Sequence, residues 1–170
     1  MDRPARPAVD DAVWSPAVVR LRRVVNLVNL ATPFGLLVAR IGRADVVPGP
    51  HGLLLAKGYR AKVPAPRAPA VTIGDVVLLR RDDDWLARHP RMLVHEARHA
   101  FQYSFWLGPI GFLPAYVACS GWSWWRTRDF AIDNAFERRA GLVDGNYVSG
   151  PDDPRLAQVR RRPRRRRAPR

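Results

Sequence analysis

The chain has one cysteine, two lysines and only two glutamates among 170 residues. A single cysteine, Cys119, excludes an intramolecular disulfide and a cysteine-built zinc site. It also agrees with a reducing, intracellular setting. An apolar signal core is missing as well. Residues 1–16 hold Pro4, Pro7 and Pro16 around Asp10 and Asp11 without an apolar period, so no secretory signal is expected there. The expected location is cytoplasmic, with peripheral membrane contact as a variant. The shortage of glutamate and lysine is a bias towards Asp and Arg, as in a GC-rich coding background. Against that bias, a retained glutamate suggests that the longer carboxylate matters where it stands.

Positive charge, in contrast, is plentiful, with a net charge of +14. Residues 151–170 carry nine arginines against Asp152 and Asp153, so tail and body each contribute half of the excess. Such a surface attracts anionic lipid or nucleic acid, and it also serves plain solubility. The tail has too few apolar groups to offset its ordering entropy. The expected organisation is an unstructured segment over 1–15, one domain over 16–150 and an unstructured Arg-rich tail over 151–170.

Apolar spacing predicts an amphipathic helix over 16–32, with Val18, Leu21, Val24, Val25, Val28 and Ala31 on the core side and Arg22, Asn26 and Asn29 on another. Pro33 and Gly35 are expected to interrupt it, and an apolar run from Phe34 to Ala39 follows. A core helix is favoured over a membrane-surface one. Leu53–Lys57, Tyr59–Val63 and Val71–Leu79 read as strands, separated by the stiff connector Pro64–Pro69. Gly74 marks a bulge or a close backbone approach. Asp82, Asp83 or Asp84 can cap a helix running from about Trp85 to Trp106, kinked or restarted at Pro90. From Ala100 to Trp125 no charge occurs, a length that would permit a membrane span. Gly108, Pro109, Gly111 and Pro114 are expected to break it up into buried or interfacial structure. Trp106, Trp122, Trp124 and Trp125 suit either a membrane interface or an aromatic core. A last helix is expected from about Phe130 to Leu142.

Both glutamates fall in informative places. Glu96 is the centre of His95-Glu96-Ala97-Arg98-His99, an H-E-x-x-H motif. In a chain with four histidines and two glutamates such a motif arises by chance on the order of once in a thousand. On a helix, His95 and His99 lie on one face and can share a metal, while Glu96 stands beside them to take a proton from an activated water. A catalytic zinc needs a third protein ligand. The extended metzincin motif would place glycine at 102 and histidine at 105, but the chain has Gln102 and Phe105, which excludes that class. Candidates are Glu137, Asp133, Asp129, His89 and His51. Glu137 is favoured as the only other glutamate. Asp133 lies four residues earlier, able to orient a ligand histidine or to be the ligand itself. Gln102 and Tyr103 follow His99 by three and four residues and fall near the ligand face. Tyr103, Tyr116 or Tyr147 could steady an oxyanion, although core packing explains each equally simply. Arg98 points away from the histidines and reads as a solvated charge.

Val71–Leu79, with its Thr72-Ile73-Gly74, followed by Leu93-Val94-His95-Glu96-Ala97-Arg98-His99-Ala100-Phe101-Gln102, resembles the small H-E-x-x-H-x-x-Q metallopeptidase-like domains. These include the ones associated with bacterial extracellular contractile injection systems. Asn134-Ala135-Phe136-Glu137-Arg138-Arg139-Ala140 is similar to their downstream N-x-x-E-x-x-A segment. The resemblance covers roughly residues 70–140. It implies an α+β, mainly helical, zincin-like domain with a short hairpin or sheet packed on the H-E-x-x-H helix. It further implies Zn2+ held by His95, His99 and Glu137 in a gluzincin-like arrangement, with Glu96 as base and a peptide or protein as substrate. Two other expectations compete with a peptidase. One is a non-catalytic zinc-stabilised interaction module. The other is a basic protein binding nucleic acid or an anionic membrane surface through the tail.

Overall fold

The computed structural model describes residues 14–62 and 68–160. Most of the expected N-terminal segment, residues 63–67 of the connector and residues 161–170 of the tail lie outside it.

Helix α1 (Pro16–Val28) is capped by Ser15 and starts on a proline, whose missing N–H costs nothing in the first turn. It stops at Asn29, whose side-chain oxygen accepts from the Ala31 N–H at 3.0 Å. Leu30, left-handed with φ 64°, then turns the chain into α2 (Ala31–Ile41). The break therefore falls at 29–30 rather than at Pro33 and Gly35, which both lie inside α2. Pro33 occupies the first turn. Gly35 is required by packing, because a Cβ there would sit 2.4 Å from the Ile73 carbonyl oxygen.

The expected core face of α1 is reversed. Arg22 and Asn26 are buried, while Leu21, Val24 and Val28 are exposed. The cause is Asp75, itself buried in the turn after Ile73. Arg22 Nε donates to its Oδ1 at 2.8 Å, Asn26 Nδ2 to the same oxygen at 3.1 Å, and Thr32 Oγ1 to Oδ2 at 3.1 Å. Asn26 Nδ2 also reaches the Ala100 carbonyl at 2.9 Å, and Arg22 Nη2 the His51 carbonyl at 2.8 Å. A polar knot thus joins both first helices to the sheet and to the helix that carries the H-E-x-x-H motif.

Strands β1 (Asp45–Pro48), β2 (Leu54–Lys57), β3 (Ala70–Ile73) and β4 (Val76–Leu79) form a mixed sheet in the order β1-β2-β4-β3. Val71–Leu79 is thus a hairpin instead of one strand. Ile73 pairs with Val76 across a two-residue turn, and Gly74 has the positive φ of 63° that a type II′ turn needs at its first position. Residues 59–62 form no strand. Central β4 runs parallel to β2 and antiparallel to β3. All four of its residues are buried, as expected when both faces of a strand are covered. Val76 and Leu78 pack with Ala31 and Ala39 of α2, whereas Val77 and Leu79 pack with Met92, Leu93 and Ala97.

Those last residues belong to α4 (Met92–Phe105). Asp82 caps the short α3 (Asp83–Arg88) before it, accepting from Trp85 N–H at 2.8 Å, and the chain restarts after Pro90. Helix α5 (Gly108–Thr127) runs unbroken for 20 residues, contrary to the expected fragmentation. Pro109 sits in its first turn, and Pro114 forfeits an intrahelical bond without ending the helix. Helix α6 (Ala135–Ala140) is shorter than expected and starts at Asn134, which accepts from Phe136 N–H at 2.9 Å. The stretch before it is held in turns by Asp129, which accepts from Ala131 N–H at 2.8 Å. Order continues into the tail expected to be structureless: Asp153 is buried and holds Arg155 Nη2 at 2.8 Å, and α7 (Leu156–Arg160) follows. The architecture is therefore α+β, with a four-stranded mixed sheet between α2 and α4.

Candidate metal centre

Helix α4 lays its Glu96 and Ala97 against the sheet and turns His95 and His99 towards α6. One helical turn separates the two imidazoles, so both reach the same point. Their Nε2 atoms stand 3.0 Å apart. Glu137 of α6 completes a triangle: its Oε2 lies 3.2 Å from His95 Nε2 and 3.4 Å from His99 Nε2. All three residues are buried, and together they could hold a metal ion.

The outer nitrogens decide where the lone pairs point. His95 Nδ1 faces two carbonyl oxygens, Ala140 at 3.1 Å and Gly141 at 3.0 Å, so it must carry a proton. His99 Nδ1 meets Gln102 Oε1 at 2.8 Å. The Gln102 amide is oriented by its own Nε2, which donates to the Phe136 carbonyl at 3.0 Å, so its oxygen faces the imidazole. In their neutral, metal-binding form both rings consequently aim Nε2 lone pairs at each other and at a carboxylate oxygen. Glu137 Oε2 is buried with no hydrogen-bond donor. Three converging acceptors in a buried pocket are a poor arrangement for a protein alone and a good one for a cation.

The electrostatics show the same demand for positive charge, which a proton on His99 can also answer. Burial by itself would lower the His99 imidazole, but the adjacent Glu137 carboxylate overrides it and pushes the group up to about 9. Burial would raise Glu137; the two imidazoles instead hold it well below the usual carboxylate range.

Glu96 is also buried, and its Oε2 accepts from Thr72 Oγ1 of β3 at 2.7 Å. Its charge helps to raise His99, Tyr103, Tyr116 and Tyr147. The phenol bonded to the trio is Tyr116 of α5, which donates to Glu137 Oε1. Tyr147 leans over His95 with ring centroids 5.8 Å apart. Tyr103 is buried against Phe112, centroids 4.2 Å apart, as part of the core. Burial first and neighbouring carboxylates second raise all three phenols above their ordinary range.

No protein-family model, curated protein or solved structure matches this chain.

The remaining candidates lie elsewhere. Asp133 touches neither histidine; it pairs with Arg126 at 2.7 Å and Arg138 at 3.4 Å. Asp129 caps its own turn. His89 stacks on Trp85, and His51 sits edge-on to Trp14. Arg98 departs from the solvated charge expected of it: Nη1 donates to the Ala140 carbonyl at 2.7 Å and to Asp144 at 2.6 Å, clamping the loop that orients His95. Spacing arguments missed that loop and the Thr72 hydroxyl. The loop acts through backbone carbonyls, which leave only glycines as a trace.

Gly145 is one such trace. A Cβ there would lie 2.6 Å from His95 Cε1. Gly145→Ala is expected to displace the imidazole and weaken metal binding about 10- to 100-fold, the range typical of a disturbed supporting shell. Competitive titration with a chelating indicator measures it, and unchanged affinity would show that the ring has room to spare.

Proposed function

We propose that the chain is a zinc-dependent metallopeptidase with a zincin-like fold. The observation that carries this reading is the donor-less Glu137 Oε2 facing two imidazole lone pairs, with a second buried carboxylate, Glu96, next to His95 on α4. His95, His99 and Glu137 would hold the ion. Zinc bound there would supply Lewis-acid activation of a water. The residues provide the rest. Glu96 takes the proton, and the Thr72 hydroxyl keeps its carboxylate turned to the pocket. Gln102 and the 140–141 carbonyls hold the rings in the tautomer that leaves Nε2 free. Tyr116 and Tyr147, kept protonated by burial, are the phenols able to donate to a developing oxyanion.

Glu96→Gln is the deciding variant. It keeps size and the contact with Thr72 but removes the base. Metal content is expected to stay at the wild-type level while hydrolysis of a peptide library falls about 100- to 10,000-fold. Equal hydrolysis by both proteins would refute the mechanism.

The closure of the pocket supports a second reading. Tyr116 bonds Glu137, Tyr147 lies against His95, and the 140–145 loop packs on the His95 ring, so protein groups crowd the trio. A zinc-stabilised, non-catalytic module would bind stoichiometric metal, hydrolyse nothing in the same library and unfold on chelation.

A further inference from the structure

The outward faces of α1, α2 and α5 are apolar, and they meet at one corner. Asn29 joins the α1–α2 break to the α4–α5 break: its Nδ2 donates to the Tyr103 carbonyl at 3.2 Å, and its own carbonyl oxygen comes within 2.5 Å of where a Gly108 Cβ would be. Around this junction Val28 is 76% exposed, Leu30 64%, Phe105 81%, Leu107 80% and Ile110 86%. Leu30 and Leu107 each form the turn between two helices and both adopt left-handed backbone, φ 64° and 56°. That conformation costs leucine roughly 1–2 kcal/mol, and asparagine would fill it more easily. A strained, solvent-facing leucine at both breaks has no explanation in the packing of the isolated chain.

Away from the corner the apolar surface continues as helical stripes, Phe34, Leu37 and Ile41 on α2 and Val117 and Trp125 on α5. The charges beside it have one sign. Residues 12–44 and 97–128 contain no acid at all. Arg20, Arg23, Arg40 and Arg43 are exposed along the first two helices, and none forms an ion pair among the described residues. At the far end of α5, Arg128 lies over Trp124, guanidinium to ring centre 4.7 Å, and Arg126, neutralised by Asp133, lies over Trp122 at 5.8 Å. Among the described residues no single helix is long and apolar enough to cross a membrane. Helices α1 and α2 meet that length and composition only as a pair, bent by 72°.

We infer that this corner docks on an anionic lipid bilayer, with Leu30 and Leu107 inserted among the acyl chains and the flanking arginines at the headgroups. Apolar knuckles, interfacial tryptophans and the unpaired arginines of the first two helices are jointly what such a surface selects. A protein partner would need no uniform sign of charge. The inference is independent of metal or hydrolysis.

The test compares the full-length wild type with the double variant Leu30→Asn/Leu107→Asn. Asparagine suits both backbone positions, so the variant is expected to fold at least as well, checked by thermal melting. Co-sedimentation with vesicles of phosphatidylcholine and phosphatidylglycerol in equal amounts is expected to show binding by the wild type and at least about 10-fold weaker partitioning by the variant. Vesicles of phosphatidylcholine alone are expected to bind neither well. Lipids brominated on the acyl chains are expected to quench tryptophan fluorescence in the wild type only. Equal partitioning of both proteins, or binding without quenching, would mean that charge alone holds the chain to the surface and would overturn the proposal. So would a wild-type dimer in lipid-free buffer that the double substitution makes monomeric.

Discussion

Glu137→Gln is expected to leave a folded chain that no longer retains metal. The substitution is nearly isosteric and still offers an oxygen to the Tyr116 hydroxyl, so the aromatic packing around α5 and α6 has no reason to change. What it removes is charge. Two neutral imidazoles and a neutral amide would be left to hold a divalent ion in a buried pocket, with no ligand charge to offset its desolvation. Affinity is expected to fall by more than about 100-fold, beyond the range seen for supporting residues. Metal per chain, measured by mass spectrometry after gel filtration, reads this directly. Asp133→Asn is the matched control. Asp133 is the nearest alternative carboxylate by sequence, yet it is occupied by Arg126 and Arg138. That variant is expected to keep its metal. Retention by Glu137→Gln together with loss from Asp133→Asn would reverse the assignment of the third ligand.

The contrast between these two carboxylates shows what was legible in the sequence. Helical spacing alone put His95 and His99 on one face, and scarcity singled out Glu137, because few glutamates compete for the role. The position of Gln102 beside His99 follows from the same geometry. Less could be read where the decisive partner is distant or is backbone. Tyr103 and Tyr116 are chemically identical, and only the path of α5 decides that Tyr116 meets Glu137 while Tyr103 joins the core. The carbonyls of Ala140 and Gly141, which fix the His95 tautomer, have no side-chain signature. Proline and glycine misled twice. Gly35 serves close packing against Ile73 rather than a break, and Pro114 is carried within α5 because the inner face of that helix is anchored through Phe112 and Tyr116. The true break at Leu30 has neither residue.

Helix α1 is the instructive failure. An apolar period locates a stripe but does not say what the stripe faces. Here the stripe looks outward, and the inward face is polar because one aspartate, Asp75, waits behind it.

Removing that aspartate is expected to be the most damaging single change outside the metal centre. In Asp75→Ala the Arg22 guanidinium stays buried without its counter-charge, Asn26 and Thr32 lose their acceptor, and Nη1 of Arg22, already without a partner, gains none. Breaking a buried pair on one side costs about 3–5 kcal/mol. Single domains have only about 5–15 kcal/mol in total, so much of the stability would go. The urea midpoint of the variant should fall accordingly. Arg22→Met combined with Asp75→Asn separates a missing partner from a missing contact. It removes both charges, keeps an acceptor oxygen for Asn26, turns an amide N–H towards the Thr32 hydroxyl, and fills the volume of the arginine stem. It is expected to be more stable than Asp75→Ala even though it carries two substitutions, because the penalty lies in the uncompensated charge more than in the lost attraction. If Asp75→Ala lowers the unfolding free energy by less than about 1 kcal/mol, Arg22 has escaped to solvent and the polar knot does not hold α1 in place. The outward direction of the α1 apolar stripe would then lose its structural cause, since Arg22 and Asn26 are the residues that bond that helix to the sheet turn and to α4.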